Sequence, residues 1–403
     1  MTTLEKAIDD VLRRDACSGC GLCARLDTAV QMRLDDRGYL RPQVEGESRP
    51  VPDAVRIFER SCPGVTVSAP SVSRSSTPHR LLGRYEGIWR AHATDPEVRR
   101  AGSSGGVLTA LHQWLLSQDR AARITGAAAA EKEPRRTVPV TIMTRDQALA
   151  AAGSRYAPVA ALDNADVLNP GSAVCGKPCE ISALRNAAPD LVDGEAPLML
   201  SFFCAGTPSQ HATSTLLNEL GVPDDQPVDA MRYRGDGWPG RFFVRSGKHA
   251  ASTDYEESWG RVLGPTTQWR CKVCPDGVGE SADIVCADSW RTDERGYPVF
   301  SEGDGMSALI ARTPRGLQAI RDAEAAGIIS LSPLPIRELA GAQPLQVSRR
   351  RYLFARLLGS RLAGRRPPRF RGFGLLRLAV RHPLKAARIG RGTFQRVRST
   401  RSR

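Results

Sequence analysis

Histidine is scarce in this chain, six among 403 residues, and no Ser-His-Asp or His-rich constellation can be assembled from it, so hydrolysis has no visible support. Long apolar runs are missing too. Nothing approaches the ~20 residues that cross a bilayer, and Met-Thr-Thr-Leu-Glu-Lys at the start has no apolar segment for export. The expectation is a cytoplasmic protein with reduced thiols, since ten cysteines in a chain of this size do not suggest a disulfide scaffold. Lysine is rare at 6 against 51 arginines, more the mark of a GC-rich coding sequence than of a binding site. Acid is absent from the tail: from Arg349 onward there are 18 Arg or Lys and no Asp or Glu, leaving 39 basic against 43 acidic residues before it. The net charge of +14 therefore belongs to the tail, and the body lacks the excess of base from which a nucleic-acid footprint is built. No nucleic-acid partner is expected.

What is present is cysteine at telling intervals. Cys17, Cys20 and Cys23 form a Cys-x2-Cys-x2-Cys run, and Cys62-Pro63 follows at a distance. That is the cubane-binding order of bacterial ferredoxins, whose last thiolate arrives from a remote loop. Gly19 and Gly21 suit the wrapping, because glycine turns backbone N–H groups toward sulfur without a Cβ clash. Zinc sites usually pair two Cys-x2-4-Cys arms, and a triple is unusual for them, so the spacing favours iron and sulfur over a zinc knuckle.

Along the chain, Leu4, Ile8, Val11 and Leu12 predict a helix over residues 1–16. Val30 to Leu40 reads as a hairpin about Asp35-Asp36-Arg37-Gly38, and Ser68 to Pro78 as a linker. A strand near Tyr85 to Ala93 precedes Arg100-Ala-Gly-Ser-Ser-Gly-Gly106, which opens a helix over Val107 to Ser117. Ser103, Ser104, Gly105 and Gly106 leave N–H groups pointing outward where the helix dipole favours an anion, a phosphate cradle or an ordinary cap. Two βα-like units are expected next: Ile124 to Ala130 with Val138 to Met143, then Gly153-Ser154-Arg155-Tyr156 leading into a second helix. Gly171 to Arg185 repeats the strand, glycine loop and helix order, with a helix over Ile181 to Asn186. Leu198 to Phe203 is an unbroken apolar run, hence a buried strand. Cys204 lies at its end, where ligands sit in open α/β sheets.

Six cysteines remain. Cys271 and Cys274 form a Cys-x2-Cys hook, while Cys179 and Cys204 each follow a strand and precede a turn. These four are the expected second cubane, with zinc as the alternative, because a lone Cys-x2-Cys is less specific. Cys175 and Cys286 stand in apolar stretches and read as small buried hydrophobes.

Taken together, five blocks resemble the coenzyme F420 hydrogenase/dehydrogenase beta-subunit family: the N-terminal cysteines with Cys62-Pro63, Ser103-Ser-Gly-Gly106, Gly153-Ser-Arg-Tyr156, Gly176-Lys-Pro-Cys179, and Cys271-x2-Cys274 with Ala282-Asp283. The resemblance spans about residues 15–330. It implies FAD, one or two 4Fe-4S clusters, and two-electron exchange with coenzyme F420 or another organic substrate. Ala287 stands where the family commonly has glycine, and Cys286 where no thiol is required. On this reading Ser103 to Gly106 hold the flavin phosphates beside Tyr156, and Arg155 and Lys177 supply fixed positive charge to phosphates or an acidic substrate, a solvated surface role being the alternative for both.

The expected architecture is α+β or α/β. It comprises a ferredoxin-like iron-sulfur module over 1–67, a mixed α/β core over 79–340 binding flavin and the second cluster, and a basic helical tail over 341–403. A redox carrier or partner oxidoreductase is implied. The chain could instead be an electron-transfer subunit with no substrate of its own, or a zinc-stabilised binding protein. In the tail, Tyr352, Leu353, Leu357, Leu358 and Leu362 recur at helical spacing among arginines, and a second run spans Phe373 to Ile389, broken at His382-Pro383. Two short amphipathic helices on an anionic membrane surface are the expectation, with the protein peripheral at the inner face of the cell membrane.

Overall fold

The computed structural model describes residues 3–71, 75–290, 299 and 301–401. Eight strands form its central sheet, in the order Ile329–Pro333, Gly87–Ala93, Ser307–Ala311, Ile284–Asp288, Leu198–Phe202, Ala173–Gly176, Ile124–Ala129 and Thr137–Ile142. From Ile284–Asp288 to Ile124–Ala129 the strands run parallel; antiparallel strands extend both flanks. This is a mixed α/β architecture.

Alternation along the inner strands sends side chains to two faces. Val174, Met199 and Val285 join Ile181 and Leu184 of the helix Pro178–Leu191 on one side. Ala173, Leu200 and Ile284 join Leu111 and Trp114 of the helix Val107–Ser117 and Ile320 of the helix Pro314–Ala325 on the other. Covered on both faces, Leu198–Phe202 is apolar throughout except at Ser201, whose hydroxyl donates to the Gly176 carbonyl at 2.8 Å.

The N-terminal segment packs on the first face. Its helix Leu4–Arg13 buries Leu4, Ile8 and Val11. The hairpin Val30–Leu34 with Leu40–Val44 closes through Asp35, whose carbonyl accepts from Gly38 at 2.8 Å. The helix Ala54–Ser61 contributes Ile57 and Phe58 to the same apolar cluster as Ile181 and Leu184, so the first cysteine run and the sheet share one core.

Several expectations give way. Ile124–Ala129 and Thr137–Ile142 pair as an antiparallel hairpin, not as parts of separate βα units. After Tyr156 come two short 3-10 turns, Ala161–Asp163 and Ala165–Leu168, where a helix was expected. Asn164 accepts from the Asp166 N–H at 2.8 Å and restarts the turn, and Pro170 closes the segment. The helix expected over 181–186 extends across Pro178–Leu191. Of the 68–78 linker, residues 72–74 lie outside the described residues; Thr66–Ser68 and Thr77–His79 at its ends are strands.

The tail is built into the body. Its helix Pro344–Leu362 buries Arg349, Arg350, Tyr352 and Leu353, and the strand Arg369–Arg371 pairs in parallel with Thr66–Ser68. Leu353, Phe373 and Leu375 cluster with Val67 and Val273; Tyr352 packs with Ala379 and Ala386. Packing within the chain thus accounts for Tyr352, Leu353 and Leu357 of the apolar recurrence that suggested membrane-bound helices, while Leu358 and Leu362 of the same run stay exposed. Pro383 does break the second run, ending Leu375–Ala379 and beginning Pro383–Arg401. No described helix is long and apolar enough to cross a membrane.

Candidate functional site

The carboxyl ends of the parallel strands deliver the chemistry-bearing side chains to one edge of the sheet. Ala173–Gly176 leads to Lys177 and to Cys179 in the first turn of its helix. Leu198–Phe202 leads to Cys204, whose N–H donates to the Gly277 carbonyl at 2.9 Å, and Ile284–Asp288 ends on Asp288. The short helix Trp269–Lys272 brings Cys271, with Cys274 just beyond it. Cys179, Cys204, Cys271 and Cys274 line one cavity, about 330 Å³ of space partly open to solvent, and the Thr207 N–H donates to the Cys271 sulfur at 3.4 Å.

Cys17, Cys20, Cys23 and Cys62 line a second cavity, about 360 Å³ of space partly open to solvent. Gly19, at φ +71°, turns its N–H to the Cys17 sulfur at 3.4 Å, as the wrapping argument expects. A Cβ on Gly21 would stand 2.6 Å from the Asp163 nitrogen, so a close approach demands glycine there as well. Burial pushes the Cys20 thiol up to about 11 and Cys204 to about 12, since a thiolate without a metal is disfavoured away from water. Among the described residues no three His, Cys, Asp or Glu side chains converge closely enough to share one ion. Each set of four thiols rings a cavity instead.

The two cavities share a wall, because Ser18 lines both. Gln268 Nε2 donates to the Ser18 carbonyl at 3.0 Å and its Oε1 accepts from Arg41 at 3.0 Å. Arg270, also between the sets, donates from Nε to the Pro63 carbonyl at 3.0 Å while its charge bears on Cys274, Cys179 and Cys271. Cys175 and Cys286 line neither cavity and lie among the core side chains of the other face.

Ser103 to Gly106 lie at the same edge, two to three strands away. Gly106, at φ +70°, opens the helix Val107–Ser117, and no side chain caps it. Ser103 Oγ accepts from the Ser154 hydroxyl at 2.8 Å, and Ser104 Oγ donates to the Met306 carbonyl. The Gly105 N–H is spent on Ser307 Oγ at 3.0 Å, and a Cβ there would meet the Ala91 carbonyl at 2.5 Å. Gly105 is therefore required by strand packing and has no N–H free for an anion.

Arg155 and Lys177 depart from their expected roles. Arg155 donates from Nε to Thr137 and from both Nη atoms to the carbonyls of Met231, Pro134 and Arg136, which makes it a clamp on its own surroundings and not a phosphate hook. Lys177 is buried, bonded to the Val159 carbonyl at 2.7 Å and paired with Glu180, and it faces the Cys179 and Cys204 cavity. Tyr156 joins an aromatic cluster with Tyr233, Tyr255 and Trp259. Beside it Arg234, 2% exposed, pairs with Asp288 at 2.7 Å and lies about 5 Å from the rings of Trp238, Tyr255 and Trp290. Neither Arg234 nor the bridge of Gln268 and Arg270 was legible in the sequence, where each is one polar residue in an unpatterned stretch. Asp283, by contrast, is structural: it accepts from the Met199 N–H at 2.9 Å and from Thr313 at 2.8 Å.

Fold and site together define a mixed α/β protein whose sheet edge carries a thiol-ringed cavity and an open helix N-terminus, with a second thiol-ringed cavity adjoining the first at Ser18. Two family models of the coenzyme F420 hydrogenase/dehydrogenase beta subunit match it, the N-terminal model over residues 88–165 and the C-terminal model over residues 171–336. The chain belongs to this family of oxidoreductase subunits. It is 28% identical over 267 residues to the coenzyme F420 hydrogenase subunit beta of Methanothermobacter thermautotrophicus, covering 63% of this chain and 86% of that one. Over 262 residues it is 24% identical to the same subunit of Methanococcus voltae, covering 62% and 84%. A chain of the F420-reducing [NiFe] hydrogenase complex from Methanosarcina barkeri shares the fold, with a TM-score of 0.53 at 20% identity over 73% of this chain and 98% of that one. The second cysteine set and Ser103 to Gly106 fall inside the matched segments. The first cysteine run and the tail fall outside both.

Proposed function

We propose that this chain is an iron-sulfur flavoprotein that conducts electrons singly through two 4Fe-4S clusters and exchanges them in pairs with an organic substrate at the sheet edge. The N-terminal cluster, of ferredoxin type, is assigned to Cys17, Cys20, Cys23 and Cys62, the other to Cys179, Cys204, Cys271 and Cys274, and FAD to the helix opening at Ser103 to Gly106. The observation that carries this reading is adjacency. The two cavities meet at Ser18, and Cys204 lies two to three strand spacings from the Ser103 loop, on the order of 10–15 Å.

Thiols ringing a cavity suit a cubane, whose four irons each take one sulfur, better than a single tetrahedral zinc with Zn–S near 2.3 Å, which would draw all four to a point. FAD, when bound, converts between one-electron and two-electron transfer. The chain's own part is placement. Arg349 Nη2 donates to the Cys204 carbonyl at 2.7 Å and Nη1 to the Ala205 carbonyl at 3.0 Å, holding a ligand loop in position. The uncapped N-terminus at Gly106 offers N–H groups and a favourable dipole to phosphate. Coenzyme F420 is the substrate to which the names of the relatives point, with a redox carrier or partner oxidoreductase on the other side.

Anaerobic purification followed by iron, sulfide, zinc and flavin assays on one sample tests this reading. About eight irons with labile sulfide and one flavin per chain are expected; near-stoichiometric zinc without sulfide would defeat it. Bound flavin with no turnover of any soluble donor would turn the reading toward an electron-transfer subunit.

A further inference from the structure

The two cavities differ in charge. The first is walled by apolar side chains such as Ile8, Val11, Leu22, Met32 and Phe58, and no charged residue lines it. The second is lined by Lys177, Arg270 and Arg349 against Asp276 alone, with exposures of 7%, 2%, 4% and 3%. Glu180 offsets Lys177 from behind. Arg349 forms no ion pair among the described residues; its N–H groups go to the carbonyls of Cys204, Ala205 and Cys271 and to Gln346. Around the first set, Arg41 and Asp15 act on Cys17 with opposite sign, and Arg41 is itself 3.5 Å from Asp35. Arg270 bears on Cys17 and Cys62 as well as on the second set, so it is shared between the two, and the difference in charge falls to Arg349 and Lys177.

Reducing a cluster adds one negative charge. Buried cations beside it favour the reduced form and raise its potential, whereas an apolar shell without them lowers it. Building on the cluster assignment above, we infer that Arg349, together with Lys177, makes the C-terminal thiol set the higher-potential of the two sites, Arg270 being shared between them, which directs electrons from the N-terminal set inward to the sheet edge. A one-electron carrier of ferredoxin type loses one electron at the N-terminal site. With clusters held by the two sets of thiols, that electron would come to rest on the C-terminal set, one electron being lost by the carrier and one gained there. No bond forms or breaks and no proton moves. The inner site would hand on the second electron of a pair in the same way.

The test is a reductive titration of the anaerobically purified full chain followed by electron paramagnetic resonance, with Cys20→Ala used to identify the N-terminal signal. In the wild type the C-terminal signal should appear first. Arg349→Gln should lower that site's hold on the electron by about tenfold, which is about 59 mV for a one-electron couple, and should move the N-terminal site less. Arg349→Lys, keeping the charge, should restore most of the shift. Asp276→Asn, which removes the one acid in the lining and can still accept the Glu280 N–H, should shift the C-terminal site the opposite way; this variant decides the matter should Arg349→Gln fail to load iron. Reduction of the N-terminal site first, equal shifts in the Gln and Lys variants, or no shift in any variant would overturn the inference. A wild type lacking iron and sulfide would instead defeat the cluster assignment on which it rests.

Discussion

His112 shows how much a single buried side chain can decide. It sits on Val107–Ser117 at 8% exposure, its Nε2 finds no hydrogen-bond partner, and burial holds its pKa down to about 4. The unfolded chain, with histidine near 6.5, binds the proton first as pH falls. Stability should therefore be intact above about pH 6.5 and drop below it, by about 2 kcal/mol at pH 5. Thermal unfolding of the wild type and His112→Leu between pH 7 and 5 checks this: the variant should lose less. At the same scale, Ser103→Asp places a negative charge at an uncapped helix start. The helix dipole welcomes that charge while a bound phosphate repels it. Flavin occupancy should fall severalfold with iron content and unfolding temperature unchanged; full flavin would reduce the loop to a helix cap. Substitution at Gly105 would be a poorer probe, because a Cβ there strikes the Ala91 carbonyl whether or not flavin binds. Cysteines at x2 spacing, Cys17, Cys20, Cys23, Cys271 and Cys274, stood out in the sequence by pattern, and Cys179 and Cys204 by their place after apolar strands. Arg155 was not, since adjacency to a glycine turn says nothing about the carbonyls of Pro134, Arg136 and Met231 that fold around it.

At the scale of elements, the strand Leu198–Phe202 and the helix Val107–Ser117 were legible because burial on both faces and a glycine-rich start leave strong marks. The segment after Tyr156 was misread, since Asn164 breaks helical continuity by accepting from the Asp166 N–H, a bond that no periodicity announces. The three-stranded sheet of Ala230–Arg232, Phe242–Ser246 and His249–Thr253 left no comparable mark; its last strand is mostly exposed. The cysteine sets come from separate elements: one from the N-terminal helix connections, the other from the ends of two parallel strands and the short helix Trp269–Lys272. Cys20→Ala should accordingly remove about half of the iron and leave the C-terminal set loaded. Equal loss from both sets, read by iron analysis and cluster spectra, would mean that the wall at Ser18 makes them fold as one site.

Across the whole molecule, the tail closes the structure that the sequence placed apart from it. Charge composition marked Arg349 to the end as distinct, but composition cannot report that Arg350 reaches Glu280 at 2.5 Å with both side chains over nine-tenths buried, or that Arg369–Arg371 lies beside Thr66–Ser68. Breaking a buried pair by removing one partner strands the other charge and costs about 3–5 kcal/mol, whereas changes at exposed positions stay within about 0.5 kcal/mol. Arg350→Met should thus destabilise the chain by several kcal/mol. Leu362→Ser, at a side chain 68% exposed, should be nearly neutral. Truncation before Pro344 removes Arg349 from the carbonyls of Cys204 and Ala205 and uncovers Val67 and Val273. The truncated protein should lose iron from the C-terminal set before the N-terminal one. A truncated chain with full iron and an unchanged unfolding temperature would show that the tail is an appendage, with its arginines free for some other partner.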